Sequence, residues 1–271
     1  MDHGDTPLTD RIDVTVPSVA RMYDYLLDGK DNYPADRSAT EQLLEQVPSM
    51  KVLALNNRQF LRRVVRVLAQ DYGIRQFVDH GSGLPTQDNV HEIAQGIHPG
   101  ARVVYTDNDP IVLAHGRALL EQNENTAVLQ ADFRDTESIW DSAEVKRLIN
   151  PDEPVAALFV SVLHCIKDSD DPAAVIRRVR DRLPSGSFLV VCQLVSDDAE
   201  VRRGVTEFMD QSTGGNWGQV RRESDLAGFL DGLELLDPGL VEVSTWRPDN
   251  DLAQEQPSFE WIEFGGVARI K

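Results

Sequence analysis

Two glycines close behind an acidic residue mark the part of the sequence best suited to bind a ligand. Residues 77–83 read Phe-Val-Asp-His-Gly-Ser-Gly, so an apolar run ends at Asp79 and leads into Gly81 and Gly83. Glycines at such a turn let the backbone reverse tightly and approach a ligand closely, as in the first strand of nucleotide-binding doubly wound sheets. We therefore expect Asp79, Gly81, Ser82 and Gly83 to bind a nucleotide-like cofactor.

The same turn departs from the fingerprint of dinucleotide-binding proteins. That fingerprint has a third small residue three positions after the second glycine. Here Leu84 and Pro85 follow Gly83, and Thr86 occupies the third position. A nicotinamide-dependent reductase is therefore a disfavoured alternative, which affinity for NADH would revive.

Acidic residues also follow the next two apolar runs. Asp107 closes the run at 103–107, and Asp132 with Phe133 follows the run at 126–130. Because the carboxyl ends of parallel strands meet at one edge of a sheet, we expect the three acids to lie close together. A carboxylate after the second strand can accept both hydroxyls of a ribose, and Asp132 with Phe133 would lie beside the adenine. The alternative for each acid is a helix N-cap or a solvated turn.

Alternating strands and helices must position these residues. Five apolar runs are typical of strands: 76–79, 102–106, 126–130, 155–160 and 187–193. Helical periodicity separates them at four segments: 89–97, 110–121, 137–149 and 172–183. This alternation indicates a mostly parallel sheet with helices on both faces. After two more helical stretches, strand-like runs at 240–245 and 259–270 predict a hairpin at the sheet edge, with an exposed loop at 249–257.

A helical segment precedes the first strand. Apolar residues at helical spacing predict helices at 19–27, 36–47 and 56–72, the last ending at Gly73. We therefore predict an N-terminal helical cap or lid over residues 1–73 and an α/β domain over residues 74–271.

The composition is strongly acidic. The 271 residues include 27 Lys+Arg against 45 Asp+Glu, and the resulting net charge of −18 repels nucleic-acid phosphates and anionic membranes. No apolar stretch approaches the ~18–20 residues that span a bilayer, and residues 1–5 are acidic where a secretory signal is basic, so a cytoplasmic location is expected. Cys165 and Cys192 lack the spacing of a disulfide framework or a zinc site, so no metal is expected.

Together the motifs resemble those of class I S-adenosylmethionine-dependent methyltransferases. The glycine turn after Asp79 is similar to the first motif of that superfamily, Asp107 to its ribose-binding acid, and Asp132 with Phe133 to its adenine pair. Longer segments resemble an actinobacterial family of such methyltransferases, first catalogued as a domain of unknown function: VPSVARMYDYLLDGKDNY at 16–33, NRQFL at 57–61, GSGLPT at 81–86, NVHE at 89–92, YTDNDP at 105–110, LH at 163–164 and WRP at 246–248.

The resemblance implies a fold, a cofactor and a reaction. The implied fold is α/β, a Rossmann-like, doubly wound, seven-stranded methyltransferase sheet with an N-terminal helical cap. The implied cofactor is S-adenosylmethionine, with S-adenosylhomocysteine as product, and the acceptor is expected to be a small molecule. Asn108 and Ser161 join Ser82 among the expected cofactor-binding residues. His80 departs from the aliphatic residue of the family pattern and is expected to lie partly exposed at the strand end.

The N-terminal segment offers groups for the amino-acid end of this cofactor. Its carboxylate needs hydrogen-bond donors and its ammonium needs acceptors. The candidates are cations, neutral hydrogen-bonding groups and a flexible turn: Arg21, Tyr23, Gly29, Lys30, Asn32 and Arg58. The alternative is that Arg21 and Arg58 pair with acids such as Asp24 or Glu41.

Methyl transfer is an in-line displacement, so the protein chiefly aligns the nucleophile and excludes water. A base is needed only if the nucleophile must lose a proton, and the candidate is His164, after the fourth predicted strand. The alternative is a histidine that caps the next loop. Because no residue is obligatory for this chemistry, a non-catalytic S-adenosylmethionine-binding sensor or interaction protein is the alternative function. The acceptor and the oligomeric state stay open.

Overall fold

The computed structural model describes residues 13–86, 88–120, 123–249 and 261–271. Residues 1–5 and 250–257, which carried the expectations of an acidic N-terminus and an exposed loop, lie outside these ranges. Among the residues that the structure describes, no helix is long and apolar enough to cross a membrane.

Three helices precede the first strand: α1 (Val19–Leu26), α2 (Pro34–Gln46) and α3 (Met50–Tyr72). Helix α2 begins where Pro34 fixes the backbone and the Asp36 carboxylate accepts the N–H of Tyr33 at 2.8 Å. Helix α3 ends at Gly73, whose φ of +69° is the left-handed conformation that glycine adopts without a Cβ clash.

Strands and helices then alternate as predicted: β1 (Gln76–His80), α4 (Val90–Ile97), β2 (Arg102–Asp107), α5 (Pro110–Leu119), β3 (Thr126–Gln130), α6 (Thr136–Trp140), α7 (Ala143–Leu148), β4 (Ala156–Val160), α8 (Pro172–Arg180) and β5 (Phe188–Val195). The single helix expected at 137–149 is divided in two, because Ser142 caps a new helix by accepting the N–H of Val145 at 3.2 Å. The remaining elements are α9 (Ala199–Ser212), α10 (Glu223–Phe229), β6 (Glu234–Leu235), β7 (Val241–Glu242) and β8 (Ile262–Arg269).

The strands form one sheet in the order β3-β2-β1-β4-β5-β8-β6. The first five are parallel, whereas β8 runs antiparallel to β5, and β6 and β7 pair with opposite ends of β8. The predicted methyltransferase sheet is therefore present, with its last position divided into two short strands. The expected hairpin exists between β7 and β8, but β8 is not the edge strand. All eight residues of β5 are buried, so β8 must cover that strand.

Helices cover both faces of the sheet, and α1, α2 and the start of α3 form a third apolar cluster with α9. Helix α3 belongs to two clusters, since Leu53 packs in the helical cap while Phe60, Val64 and Leu68 pack against the sheet. The domain boundary predicted at residue 73 therefore comes directly after a helix whose side chains also pack in the core of the sheet.

Candidate active site

A cavity of about 500 Å³ lies between the carboxyl ends of the parallel strands and helices α1 and α3. This volume is in the usual range for small-molecule sites. Most of the sequence-predicted site residues line it: Arg21, Tyr23, Arg58, Asp79, Gly81, Ser82, Gly83, Asp107, Asn108, Asp132, Phe133, Ser161 and His164. Gly29, Lys30 and Asn32 are outside this lining.

The turn after β1 requires glycine. Gly81 has φ of +71° and Gly83 has φ of +66°. The N–H groups of Gly81 and Ser82 both donate to the carbonyl of Thr106, at 2.8 and 3.0 Å. A Cβ on Gly81 would lie 2.2 Å from Cγ2 of Val162, whereas a Cβ on Gly83 would meet nothing within 4 Å. The backbone at Gly81 therefore packs closely against Val162, which follows β4, whereas the space beside Gly83 is open.

Asp79, the acid that ends the apolar part of β1, is 5% exposed. Within the described part of the chain its carboxylate has no hydrogen-bond partner. Burial raises the pKa of Asp79 to about 7, and the nearby Asp107 adds to that rise while the guanidinium of Arg58 opposes it. A buried carboxyl group that lines a cavity without a donor suits a cationic ligand group.

Asp107 connects the β1 and β2 ends. Its Oδ2 accepts the N–H of Gly83 at 2.9 Å, and its Oδ1 accepts the N–H of Asp109 at 2.9 Å. Burial raises the pKa of Asp107 to about 6, although these backbone donors oppose the rise. Each carboxylate oxygen has a further lone pair with which to accept a ligand hydroxyl.

The β3 end differs from the other two because its acid already has a cation partner. Asp132 accepts Nε of Arg134 at 2.9 and 3.0 Å, and Arg134 also bonds Asp170 at 3.1 Å. Burial opposes the ionisation of Asp132, but the hydrogen bonds from Arg134 outweigh it and lower the pKa. Phe133 is 8% exposed and meets Phe159 edge to face at 6.2 Å, which makes this wall flat and apolar.

Arg21 lines the cavity, but its charge is used inside the protein. Its Nε lies 2.9 Å from Oδ2 and 3.0 Å from Oδ1 of Asp36, and its Nη2 donates to the carbonyl of Val16 at 2.5 Å. Arg21 is 3% exposed and Asp36 is fully buried. Arg21 therefore does pair with an acid, as the alternative held, but the acid is Asp36 and not Asp24 or Glu41.

Gly29, Lys30 and Asn32 shape the turn after α1 and are not brought to the cavity. The side chain of Asn32 donates to Oδ2 of Asp24 at 2.8 Å, and the N–H of Gly29 donates to the carbonyl of Asp24 at 2.8 Å. A Cβ on Gly29 would lie 2.0 Å from the Asp24 carboxylate. Lys30 is exposed. The polar groups of this turn therefore satisfy one another around Asp24.

Arg58 is the cation of this region that lies electrostatically close to Asp79. Its Nη2 donates to the carbonyl of Asp88 at 3.1 Å, and the side chain lines the cavity. Beside it, the Tyr23 hydroxyl donates to the carbonyl of Ala54 at 3.1 Å and accepts Nδ2 of Asn57 at 2.7 Å. Tyr23 thus joins α1 to α3 at the cavity wall.

His164 lines the cavity in a form that does not favour proton abstraction. Its Nδ1 accepts the N–H of Leu194 at 3.2 Å, so the neutral ring carries its proton on Nε2. The ring packs against Trp217 at 5.1 Å between centroids. Burial lowers the pKa of His164 to about 3, with Arg221 adding to the effect. These features suit a neutral hydrogen-bond donor better than a base.

Three residues of the site region were missed or misplaced by sequence reasoning. Glu263 is a buried acid of β8 that accepts the Ser161 hydroxyl at 3.0 Å, and Asn57 holds Tyr23. An acid inside an otherwise apolar strand was the available signal for Glu263. His80, expected to be partly exposed, is fully buried and stacks on Phe159 at 4.5 Å, because the β1 end is covered on this face.

The geometry also bears on a pyrophosphate-binding site at the glycine turn. Such a site uses the free N–H groups of a helix that starts at the turn. Helix α4 begins only at Val90, and the Glu92 carboxylate already accepts the N–H of Asn89 at 2.7 Å. A carboxylate at that position would repel a pyrophosphate. In the described ranges, no group of three or more His, Cys, Asp or Glu is arranged to hold a metal ion.

Comparison with known proteins gives close matches over nearly the whole chain. The family described as S-adenosyl methyltransferase matches residues 5–271. A protein from Thermobifida fusca YX, provisionally named a methyltransferase, is 40% identical, with a TM-score of 0.88 over 96% of this chain and 97% of that one. A DUF574 family protein from Streptomyces avermitilis MA-4680 is 37% identical, with a TM-score of 0.87 over 96% and 99% of the two chains.

More distant structures share the fold alone. The mitomycin 7-O-methyltransferase MmcR is 18% identical, with a TM-score of 0.52 over 94% of this chain and 74% of that one. No curated protein matches the chain. The cofactor of the matched family is S-adenosylmethionine, and the cavity fits it. The Asp79 carboxyl, which has no donor among the described residues, suits its ammonium, and the open space beside Gly83 allows close approach to the backbone. The chain belongs to the S-adenosyl methyltransferase family.

Proposed function

We propose that the protein transfers the methyl group of S-adenosylmethionine to a small-molecule acceptor. The observation that carries the proposal is that Asp79, Asp107 and Asp132, at the ends of three adjacent parallel strands, line one cavity together with the glycine turn. This arrangement offers separate partners for each polar part of the cofactor.

The proposed roles follow from the chemistry of each group. Asp79 would accept hydrogen bonds from the cofactor ammonium, because it is buried and has no donor within the described residues. Asp107 would accept the two ribose hydroxyls. Arg58 would donate to the cofactor carboxylate. The glycine turn would lie against the cofactor without donating, since the N–H groups of Gly81, Ser82 and Gly83 already donate within the protein.

The other proposed contacts complete the cofactor site. Asp132 and Phe133 would lie against the adenine, with Asn108, Ser82 and Ser161 as neutral hydrogen-bonding groups around the cavity. Tyr23 and Arg21 would form the wall opposite the strand ends. We propose Arg21 as a structural part of that wall, since its guanidinium is already bonded to Asp36.

The proposed acceptor is small because helices cover the cavity. Residues 1–73 would act as a cap or lid, and Val16, Pro17 and Ser18 at the start of α1 line the opening. The end of the cavity near His164 is lined by Cys165, Ile166 and Asn216, which are uncharged. The net charge of −18 disfavours a nucleic-acid acceptor.

The two cysteines form no disulfide, which supports a cytoplasmic location.

When bound, S-adenosylmethionine supplies an electrophilic methyl group on a sulfonium. The protein's part is to align the acceptor with that group, to exclude water and to receive any proton that the acceptor loses. The apolar residues Val160, Val162 and Ile166 in the cavity lining support exclusion of water.

The direct test uses S-adenosylmethionine labelled in its methyl group and a fractionated small-molecule extract of actinobacterial cells. We expect label in one small-molecule fraction, with matching formation of S-adenosylhomocysteine. Label found only in nucleic acid or protein, when these are supplied in parallel, would contradict the small-molecule acceptor. Cofactor binding with no transfer to any fraction would contradict catalysis and favour a cofactor-binding sensor.

A further inference from the structure

A chain of buried and half-buried polar groups runs from Ser161 at the cavity through the sheet to Tyr23 on helix α1. The Ser161 hydroxyl donates to Oε1 of Glu263 at 3.0 Å, and Oε2 of Glu263 lies 3.1 Å from the thiol of Cys192. That thiol is also 3.3 Å from Oδ1 of Asn57, whose Nδ2 donates to the Tyr23 hydroxyl at 2.7 Å. Five segments of the chain therefore meet in one polar network, in which the single proton of the Cys192 thiol can be donated to Glu263 or to Asn57.

Tyr23 and Asn57 at one end of this network also line the cavity, but the lining residue that bonds Glu263 directly is Ser161. It follows β4 with φ of +57°, a left-handed conformation that is uncommon for a residue with a side chain. Its N–H donates to the carbonyl of Cys192 at 2.8 Å, which holds the residue in this conformation. Strained backbone of this kind concentrates where a side chain must be presented at a functional site.

Glu263 is the only member of the network that can take up a proton near neutral pH. It is 4% exposed and does not itself line the cavity, so it communicates with a ligand through Ser161. Its carboxylate accepts two donors from the protein, one hydroxyl and one thiol. Burying a carboxylate in a sheet is unfavourable unless it has such hydrogen-bond donors. A carboxylate linked to the cavity through one hydroxyl group can accept a proton by way of that hydroxyl.

We propose that Ser161 and Glu263 form the proton-accepting pair of the methyl transfer, which rests on the proposed function. As the acceptor's oxygen or nitrogen forms its bond to the methyl carbon, the methyl–sulfur bond breaks and its electron pair stays on sulfur. The acceptor's proton passes to Oγ of Ser161, and the proton of Ser161 passes to Oε1 of Glu263. Glu263 is then neutral and returns its proton to solvent after the product leaves.

The surroundings of Glu263 are consistent with this role. Burial raises the pKa of Glu263 to about 7, with the hydrogen bonds from Cys192 and Ser161 opposing the rise and the charge of Glu242 on β7 adding to it. The charge of Glu263 in turn adds to the rise in the pKa of Tyr23 and of Cys165. Burial raises the pKa of Cys165 to about 12 and those of Cys192 and Tyr23 well above their usual values, so none of the three titrates with Glu263.

The proposal specifies the chemical class of the acceptor. A proton-accepting pair is useful only for a nucleophile that is still protonated when it binds, namely a hydroxyl or an amine. A thiolate, a carboxylate or another anion loses no proton and would be repelled by Asp79 and Asp107 in the same cavity.

The test compares S-adenosylmethionine with S-adenosylhomocysteine, which lacks the methyl group and the positive sulfur. Their dissociation constants are measured by calorimetry on the full chain across neutral pH. Ionised Glu263 attracts the sulfonium, so the preference for S-adenosylmethionine should rise about fivefold between pH 6 and pH 8. Asp79 and Asp107 also titrate in this range, but they serve the ammonium and ribose common to both ligands and largely cancel in the ratio.

Three variants assign the effect. Glu263→Gln should abolish the pH-dependent step. Ser161→Ala should keep most of it, because the attraction acts through space, but should slow label transfer to the acceptor fraction about 100-fold, because the proton path to Glu263 is removed. Glu242→Gln is the matched control, since it removes a nearby carboxylate on β7 that does not contact Ser161, and it should keep the fivefold step. Ser161→Ala provides the test if Glu263→Gln does not fold.

The outcomes distinguish failure of the Ser161–Glu263 pair from failure of the proposed function. A step lost in Glu263→Gln and kept in Glu242→Gln supports the pair. Binding of both ligands with the same pH dependence in wild type and Glu263→Gln, or an unchanged rate of label transfer in Ser161→Ala, overturns the pair and leaves the proposed function intact. Absence of binding of either ligand by the wild-type chain overturns both.

Discussion

Where β1 and β2 end, Asp79 is buried and Asp107 is half-buried at the cavity wall, and both carboxyl groups can accept hydrogen bonds from a ligand. Across the cavity, on the helical side, Arg21 is equally buried but is bonded to Asp36, and Asp24 is bonded to Asn32. The two sides use their charged groups differently. At the strand-end wall Asp79 and Asp107 stay available to a ligand, although Asp132 is paired with Arg134, whereas on the helical wall the charge of Arg21 is neutralised by Asp36.

The difference follows from how each wall is held in place. The strand ends are positioned by the hydrogen bonds of a parallel sheet, so their side chains are not needed for folding and can serve a ligand. Helices α1 and α2 are short and meet at an open turn, and the buried pair of Arg21 and Asp36 ties them together. The predictions below test this contrast.

The largest effect is expected from breaking the charge pair of the helical wall. Arg21→Met leaves Asp36 buried without its cation, which should lower the free energy of unfolding by about 4 kcal/mol. Lys30→Ala, which removes an exposed cation nearby, should change it by less than about 0.5 kcal/mol. Urea denaturation measures both. Loss of S-adenosylhomocysteine affinity in Arg21→Met without loss of stability would show that Arg21 serves the ligand after all.

A second test uses the two glycines of the strand-end wall. Gly81→Ala combines a positive φ with a Cβ 2.2 Å from Val162, and should cost about 3 kcal/mol of unfolding free energy. Gly83→Ala has a similar φ but open space, and should cost about 1 kcal/mol. Adding Val162→Ala should recover part of the Gly81 loss. Equal costs for the two glycines would contradict the close approach of the turn to the β4 end.

The third test concerns ligand binding at the strand-end wall. Asp107→Ala removes the proposed acceptor of both ribose hydroxyls and should weaken S-adenosylhomocysteine binding about 100-fold, roughly 1.5 kcal/mol for each hydrogen bond. Asp170→Ala removes the same charge outside the cavity lining and should have little effect. Titration calorimetry gives both affinities. Unchanged affinity in Asp107→Ala would move the ribose elsewhere.

The smallest expected effect is a pH-dependent loss of folding stability caused by His80. Burial lowers the pKa of His80 to about 3, and neither ring nitrogen has a hydrogen-bond partner among the described residues. The unfolded chain takes up a proton near pH ~6.5 while the folded chain does not, so the folded state loses stability as the pH falls. His80→Leu should remove about 2 kcal/mol of this loss between pH 7.5 and pH 5. Parallel pH profiles for the two proteins would contradict a neutral buried His80.

Much of the fold could be predicted from the sequence, because apolar runs and glycine ends are local signals. The strand at 126–130 and the end of α3 at Gly73 are confirmed residue by residue. The antiparallel pairing of β7 with β8 at the sheet edge matches the expected hairpin, but a run at the end of the chain does not reveal which strand lies on the other side of β8. Its pairing with β5 depends on that strand being buried throughout.

The candidate site was likewise predicted in part from the sequence. Asp79, Gly81 and Asp107 were found because strand ends in a parallel sheet share an edge, and all three line the cavity. The placement of Lys30 was missed because helix spacing does not tell which cations are paired or exposed. Glu263 was missed because its partner Ser161 lies 102 residues away in the chain.

The measurement that tests the central claim most directly is the thermal unfolding midpoint of the full chain with S-adenosylmethionine, S-adenosylhomocysteine and NADH in parallel. A ligand at about 100 times its dissociation constant adds roughly 2.7 kcal/mol of stability. The account predicts an upward shift with the two sulfur compounds and none with NADH. A shift with NADH alone, or with none of the three, would contradict the assignment of the strand-end wall to S-adenosylmethionine.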